Sequence, residues 1–458
     1  MLLLTPAAAS ALTLQEALAA AYATNPSLDA QRASLRATDE DAAIARGQGR
    51  PQLGVSTNYT YGLDGLRALA GYNRALLAGV QGQLPLFQGG RVRNAVRAAD
   101  KRSAAGREAL RGIEGDTLVE AVTAYVDVLR DRAILELNRQ NVAALNQVYQ
   151  SSQARLKAGD VTRTDLAQTS ARIQQGGAGL AGAESDIIAS EESFRRVIGL
   201  DPVQLAPPPA LPPVPATVAD AVAGALAHNG ALASYKAAAE AAQRDVSAAR
   251  GARLPTLSVG GASTFYSYRD RFAGIGNVDS NASQVSATLT LPLYQGGTVA
   301  AQVRQAQDRL DEAEARRRGA ERQVDSAARA AFAAFQAAQR TITAYQQAVT
   351  DNEDAAKGVR IEANGGERQV LDILNAELEL LNSRIGLARA QHDAYVAAFQ
   401  LLNVMGLADA HTLGADNGHG YNPMVNFRHA THAVSDFSGR PSRARMGYGP
   451  LQPAADQP

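Results

Sequence analysis

The chain has 458 residues, 46% of them hydrophobic, but only 5% aromatic and none tryptophan, with alanine supplying much of the apolar share. That composition suits closely packed helices better than a thick core of large side chains. A formal net charge of zero points away from nucleic acid as a partner, and zero cysteines exclude a disulfide framework, a Cys-based zinc site and a lipid-anchored N-terminal cysteine.

Residues 1–11 read as the remnant of a secretory signal whose start lies upstream, because a short apolar run precedes Ala9-Ser10-Ala11, a small-residue pattern resembling a cleavage site. Residues 13–50 have helical spacing, with Leu14, Ala17, Leu18, Ala21 and Tyr22 on one face and Thr13 as N-cap. Arg50-Pro51 ends that helix. The period then changes to two. Leu53, Val55, Thr57, Tyr59 and Tyr61 alternate with Gln52, Gly54, Ser56, Asn58 and Thr60, a strand with a different solvent on each face. After a loop around Leu63 to Gly71, a second strand is expected from about Asn73 to Leu86, stopping at Pro85 before the turn Gln88-Gly89-Gly90. The strand pair spans 51–87. Arg91 to Lys157 contains no proline and predicts a helix of roughly 100 Å. Gly159 ends it, and a return helix from about Thr162 to Ile198 completes a hairpin over 90–200. Residues 201–216, with the run DPVQLAPPPALPPVP, read as an extended linker.

The plan is then written a second time. LPLFQGG at Leu84–Gly90 recurs as LPLYQGG at Leu291–Gly297. Thr13 to Pro51 lies over Thr217 to Pro255 with Asn25 on Asn229. From the LPL motif onward the register is three residues longer, so that Gly159 falls on Gly366, Asp165 on Asp372 and Ile198-Gly199-Leu200 on Met405-Gly406-Leu407. The repeats are residues 12–200 and 217–407, and the extra residues belong in a loop. In the second strand pair, 255–294, Leu257, Val259 and Phe265 share a face, the loop Arg269 to Asn281 is polar, and Val285, Ala287, Leu289, Leu291 and Leu293 alternate without exception. Pro51, Pro85, Pro255 and Pro292 thus mark all four helix–strand junctions, where a missing backbone donor suits a change of hydrogen-bond pattern. The second hairpin covers 297–407: Thr298 to Ala363, Gly365-Gly366, then Glu367 to Met405. Arg316-Arg317-Arg318 sits among Glu312, Glu314 and Glu321 as a solvated face. Residues 408–458 change to a Gly, Pro, His and Asn composition and are expected to be disordered, so that His429 and His432, without acidic or thiol neighbours, make no metal site.

No window reaches the about 18–20 apolar residues of a spanning helix, so any insertion must be by strands. Four strands cannot close a barrel, and open edges are not tolerated in lipid. Two chains would give eight strands around a filled interior, three would give twelve around an aqueous lumen. The aromatics Tyr59, Tyr61, Phe87, Phe265, Tyr266, Tyr268 and Tyr294 would suit interfacial girdles or, equally, the core of a soluble sheet.

In its duplicated halves, paired LPLxQGG motifs and Gly-plus-Asp hairpin tips, residues 13–407 resemble the TolC-type outer-membrane efflux proteins, the trimeric channel-tunnel family. The resemblance implies a fold of mixed α and membrane β, with four strands per protomer joining a twelve-stranded barrel that continues into a periplasmic helical coiled-coil barrel. It implies a homotrimer in outer-membrane lipid, a periplasmic adaptor of the membrane fusion type, an inner-membrane pump of RND or ABC type, no cofactor, and export by multidrug efflux or type I secretion. Residue by residue, it implies a periplasmic gate of Asp165 and Arg368, a constriction ring at Asp372 and Asn375, and adaptor-docking tips at Gly159 and Gly366. The ring departs from the family pattern, since its second acidic position is Asn375, and Ala363 stands where the family has a bracing tyrosine. Without the resemblance, Asp165 and Asp372 are first-turn acids favoured by the helix dipole, and Arg368 is a solvated first-turn residue. No GxSxG, HExxH or Walker-type loop points to an enzyme. The alternative is a structural or adhesive coiled-coil protein, but the Ala-rich helices lack a uniform Leu or Ile seam and are interrupted by strands. A periplasmic adaptor would carry one hairpin with flanking small β domains.

Overall fold

The structure, a computed structural model, describes residues 11–63, 70–270, 276–416, 420–439 and 442. The signal remnant thus falls, except for Ala11, outside the described residues. The helix expected over 13–50 is two helices, α1 (Leu14–Thr24) and α2 (Pro26–Gly47). Thr13 opens α1 in a reciprocal capping box with Glu16. Asn25 ends α1 and starts α2, its side chain accepting from the Ser27 N–H at 2.9 Å, and Pro26 occupies the first turn, where a missing donor is no loss. The second repeat breaks at the matching Asn229, between α5 (Val218–His228) and α6 (Gly230–Gly251). The break has a tertiary cause: Asn25 Nδ2 donates to Val197 O (3.3 Å) and Asn229 Nδ2 to Val404 O (2.9 Å), so each corner docks on the end of its own repeat's return helix.

The strands β1 (Gln52–Tyr61), β2 (Arg74–Gln88), β3 (Thr256–Arg269) and β4 (Val278–Thr290) form one antiparallel sheet in sequence order. Pro51 and Pro255 stand at helix–strand junctions as expected. Pro85 does not end its strand: β2 continues to Gln88, and a register shift between Pro85 and Phe87 absorbs the missing donor. β4 stops at Thr290, so Leu291 and Leu293 do not extend its alternation and Pro292 follows in irregular backbone. The register puts Leu53 beside Gly82 and Val55 beside Val80, giving one face of exposed Leu53, Val55, Tyr59, Val80, Val285 and Leu289. The other face is a trough lined by Gln52, Gln81, Gln83, Ser258, Gln284 and Thr288. Among the described residues, neither β1 nor β4 has a partner on its outer edge.

The rods are α3 (Arg91–Ala158) and α7 (Thr298–Asn364), of 68 and 67 residues, about 100 Å each. Their return helices are α4 (Arg163–Ile198) and α8 (Val370–Val404). The largest core joins α1, α2, α3, α4 and α8 near the repeat ends, around Leu18, Leu28, Tyr125, Phe194, Ile198 and Phe399. The linker is extended but strapped down. Leu12 pairs with Leu205 as a parallel bridge, and the Tyr125 hydroxyl, 2.8 and 2.7 Å from the carbonyls of Leu12 and Ala206, shares its one proton between them. Among the described residues no helix is long and apolar enough to cross a membrane.

The C-terminal expectation needs correction. Residues 408–458 do not form a wholly disordered tail, because α9 (Pro423–His432) packs along α2. Composition hid it: the segment is anchored by polar side chains rather than by an apolar stripe. Asn426 Nδ2 donates to the buried Asp39 at 2.9 Å, which also accepts from Ser103, and burial, outweighing these bonds, raises the Asp39 pKa. Phe427 lies under the guanidinium groups of Arg46 and Arg107.

Candidate functional site: the helical tips

Each rod turns back through a glycine. Gly159 (φ 91°) and Gly366 (φ 85°) are left-handed, a conformation that glycine adopts without strain. A β-carbon at either would meet nothing within 4 Å, so backbone shape rather than crowding calls for glycine, and both tips are open to solvent.

The return helices start with reciprocal caps. The Thr162 N–H and hydroxyl both donate to Asp165 Oδ2 at 2.8 Å, and the Asp165 N–H donates to Thr162 Oγ1 at 3.2 Å. These bonds, the backbone one foremost, hold the Asp165 carboxyl below the usual aspartate range. In α8 the Gln369 N–H donates to Asp372 Oδ2 at 3.2 Å. Arg368 Nε donates to Glu362 Oε2 at 2.9 Å, and that carboxylate pushes the guanidinium pKa further up. The expected Arg368–Asp165 link is therefore not made within a protomer: each side chain is engaged by its own hairpin.

The hairpins meet through Asn375, expected in the constriction ring, and through residues that the sequence reading did not single out. Arg172 Nη2 of α4 donates to Asn375 Oδ1 of α8 at 3.1 Å. Beside this bond, Leu145 and Val148 of α3, Val161, Ile173 of α4, and Val370 and Leu374 of α8 form an apolar cluster, with Leu374 only 1% exposed. Ala363, at the position of the family's tyrosine, is also buried. The one available signal was a mismatch: Arg172 falls on Glu379, and Leu374 on Ala167, when the repeats are overlaid.

At mid-height α3 and α8 are clasped by charge. His392 lies between Asp127 (Nε2, 2.8 Å) and Asp393 (Nδ1, 2.9 Å), and Arg130 also pairs with Asp127 at 2.6 Å. Burial works against the charged imidazole, but the two carboxylates prevail and raise the His392 pKa.

The sequence profile of outer membrane efflux proteins matches the chain twice, over residues 17–200 and 222–407, the same segments that the internal duplication pairs. The chain belongs to the outer membrane efflux protein family. It is an outer-membrane efflux or secretion channel protein with a large periplasmic part. Its sequence is 35% identical to the outer membrane efflux protein BepC of Brucella suis over 418 residues, covering 90% of this chain and 89% of that protein. It is 26% identical to the outer membrane protein TolC of Escherichia coli, covering 86% and 82%. The fold matches the Campylobacter jejuni CmeC outer membrane channel with a TM-score of 0.77 at 15% identity, over 92% of this chain and 90% of that one. The four-stranded sheet set on long helical hairpins is thus the fold of these channels.

Proposed function

We propose that three copies assemble into one continuous conduit, in which the sheets close as a twelve-stranded barrel and the hairpins form a periplasmic tunnel. The observation that carries this reading is the sheet itself, whose outer edges at β1 and β4 have no partner among the described residues and which has one apolar and one glutamine-lined face. Pairing β4 with β1 of the next protomer removes every edge from the bilayer and turns the polar face inward. The tunnel is passive and does no chemistry. It receives substrate at its tips from a periplasmic adaptor and an inner-membrane pump of RND or ABC type, for multidrug efflux or type I secretion. The open tips at Gly159 and Gly366 are the docking points for the adaptor.

Closure is the work of the tips. Arg368 is exposed and Asp165 half-buried, and between protomers the two are within reach of a charge-assisted bond that would draw the hairpins inward. Asp372 supplies one carboxylate per protomer to the constriction ring, and Asn375 supplies none. With the Arg172 cation against Asn375, this ring holds multivalent cations weakly.

The test is single-channel conductance in planar lipid bilayers for the parent, Arg368→Ala and Asp165→Asn, the last retaining a polar side chain at the cap position without the charge. A small, stable parent conductance that rises in either variant supports the channel and its gate. Unchanged conductance in both discards the gate, and failure of a folded trimer to insert discards the channel.

A further inference from the structure

The C-terminal segment has a direction. The Tyr421 N–H donates to Tyr22 Oη at 3.0 Å, Asn426 reaches Asp39, Phe427 lies by Arg46, and Arg50 then donates to Ala433 O (2.7 Å) and Thr431 O (3.3 Å). α9 thus climbs α2 in parallel, from mid-height to the residue before Pro51, where β1 begins. Its anchors are polar and buried, so its end is held in place.

Beyond that point the chain presents apolar side chains to solvent. Val434 is 77% exposed and Phe437 98%. Phe437 sits in a formed turn, its N–H donating to Ser435 Oγ (3.3 Å) while Ser438 Oγ donates to Ser435 O (2.8 Å). A phenyl ring held wholly in water forgoes its hydrophobic stabilisation, and an apolar surface laid against the turn would recover it. The nearest such surface in the family's setting is the bilayer. The lipid-facing row of β1 starts at Leu53, three residues past Arg50, and Phe87 and Tyr294, close to the other strand–helix junctions, are exposed as well. The segment also has the charge for an anionic leaflet. Arg428 is exposed on α9, and Arg440, Arg443 and Arg445 follow in the sequence, against Asp436 and Asp456.

We propose that Val434 and Phe437 insert into the periplasmic leaflet of the outer membrane, so that the C-terminal segment straps the top of the helical tunnel to anionic phospholipid. The inference rests on the strands' apolar face meeting lipid. The strap holds α2 against the membrane surface and adds an anchor outside the barrel.

Because the chain contains no tryptophan, a single introduced one reports its own surroundings. The full-length protein carrying Phe437→Trp, Leu53→Trp or Lys157→Trp is reconstituted in phosphatidylethanolamine–phosphatidylglycerol vesicles doped with lipid brominated either near the headgroup or near the chain end. The expected result is a blue-shifted emission for Phe437→Trp, quenched more by the headgroup-proximal bromine, with Leu53→Trp quenched and Lys157→Trp, at the tip, unquenched. Quenching of Leu53→Trp without quenching of Phe437→Trp overturns the strap and leaves the barrel standing. A blue-shifted but unquenched Phe437→Trp also overturns it, because protein, such as a second copy, then covers the ring. If Leu53→Trp is not quenched either, the lipid-facing assignment of the sheet falls and the strap with it.

Discussion

Two kinds of contact hold the hairpins together at the tip, and their magnitudes differ. The Arg172–Asn375 bond (3.1 Å) is exposed, and a solvent-screened polar contact of this kind contributes about 0.5–1 kcal/mol. Leu374 is 1% exposed and packed with Leu145 and Val370. Truncating a buried leucine to alanine costs about 2–5 kcal/mol, and a small cluster near a chain reversal should relax enough to put it near 2. In a trimer the apolar contribution triples to about 6 kcal/mol, against at most about 3 for the hydrogen bonds. The prediction is that Leu374→Ala opens the channel more than Arg172→Ala. Planar-bilayer recordings of the two variants beside the parent measure this directly, with circular dichroism to show that both remain folded. If Arg172→Ala raises conductance while Leu374→Ala leaves it at the parent value, closure is electrostatic and the packing argument is wrong.

A second prediction concerns pH. Glu114, against the Tyr22 hydroxyl at 3.5 Å, has its pKa raised from 4.5 to about 7 by burial, with Asp409 adding to the shift and Arg32 opposing it. A raised folded-state pKa means stability that is present below 4.5 and lost as pH climbs to about 7, by at most roughly 3 kcal/mol. Glu114→Gln should flatten the fall in unfolding midpoint between those values, and an unchanged slope would sink the assignment. A third concerns α4, which contains Gly176, Gly177, Gly179 and Gly182. Gly177→Ala with Gly182→Ala should stabilise that helix by about 0.5–1 kcal/mol per site and lower the conductance of Leu374→Ala; no change in conductance would show that α4 does not bend during opening.

Much of the fold was legible because it repeats. A period of two beside a period of 3.6, written twice in register, separates strands from rods, and Thr13 is legible as the N-cap of α1. What escaped was information not carried by periodicity. The breaks at Asn25 and Asn229 depend on carbonyls at Val197 and Val404, more than 170 residues away in sequence. Pro85 reads as a stop because a lone proline cannot show that a bulge will absorb it. α9 was hidden because its anchors, Tyr421, Asn426 and Phe427, look like tail composition until Asp39 and Arg46 are placed beside them. At the tips, overlaying the repeats drew attention to what they share, Asp165 and Asp372, and those residues cap their own helices. The contact between hairpins lies where the repeats differ, since two unlike surfaces are needed for one to pack against the other.

The glycines of α4 connect that asymmetry to motion. A β-carbon on Gly176 would come within 3.1 Å of Leu145, and one on Gly179 within 3.1 Å of Asn138, so these two let α4 approach α3. Gly177 and Gly182 would meet nothing within 4 Å, and packing gives no reason for them. Each weakens the helix by about 0.5–1 kcal/mol relative to alanine. The corresponding stretch of α8, residues 383–389, has the single glycine Gly386, whose β-carbon would collide with the Tyr345 ring at 2.2 Å, so there the glycine serves packing. The softened stretch lies between the tip cluster and the mid-height core around Phe194, while α8 is clasped to α3 through His392. Strain applied at the tips therefore bends the first hairpin's return helix before it disturbs the clasp, and a tunnel whose upper half must stay sealed can open at its lower end alone.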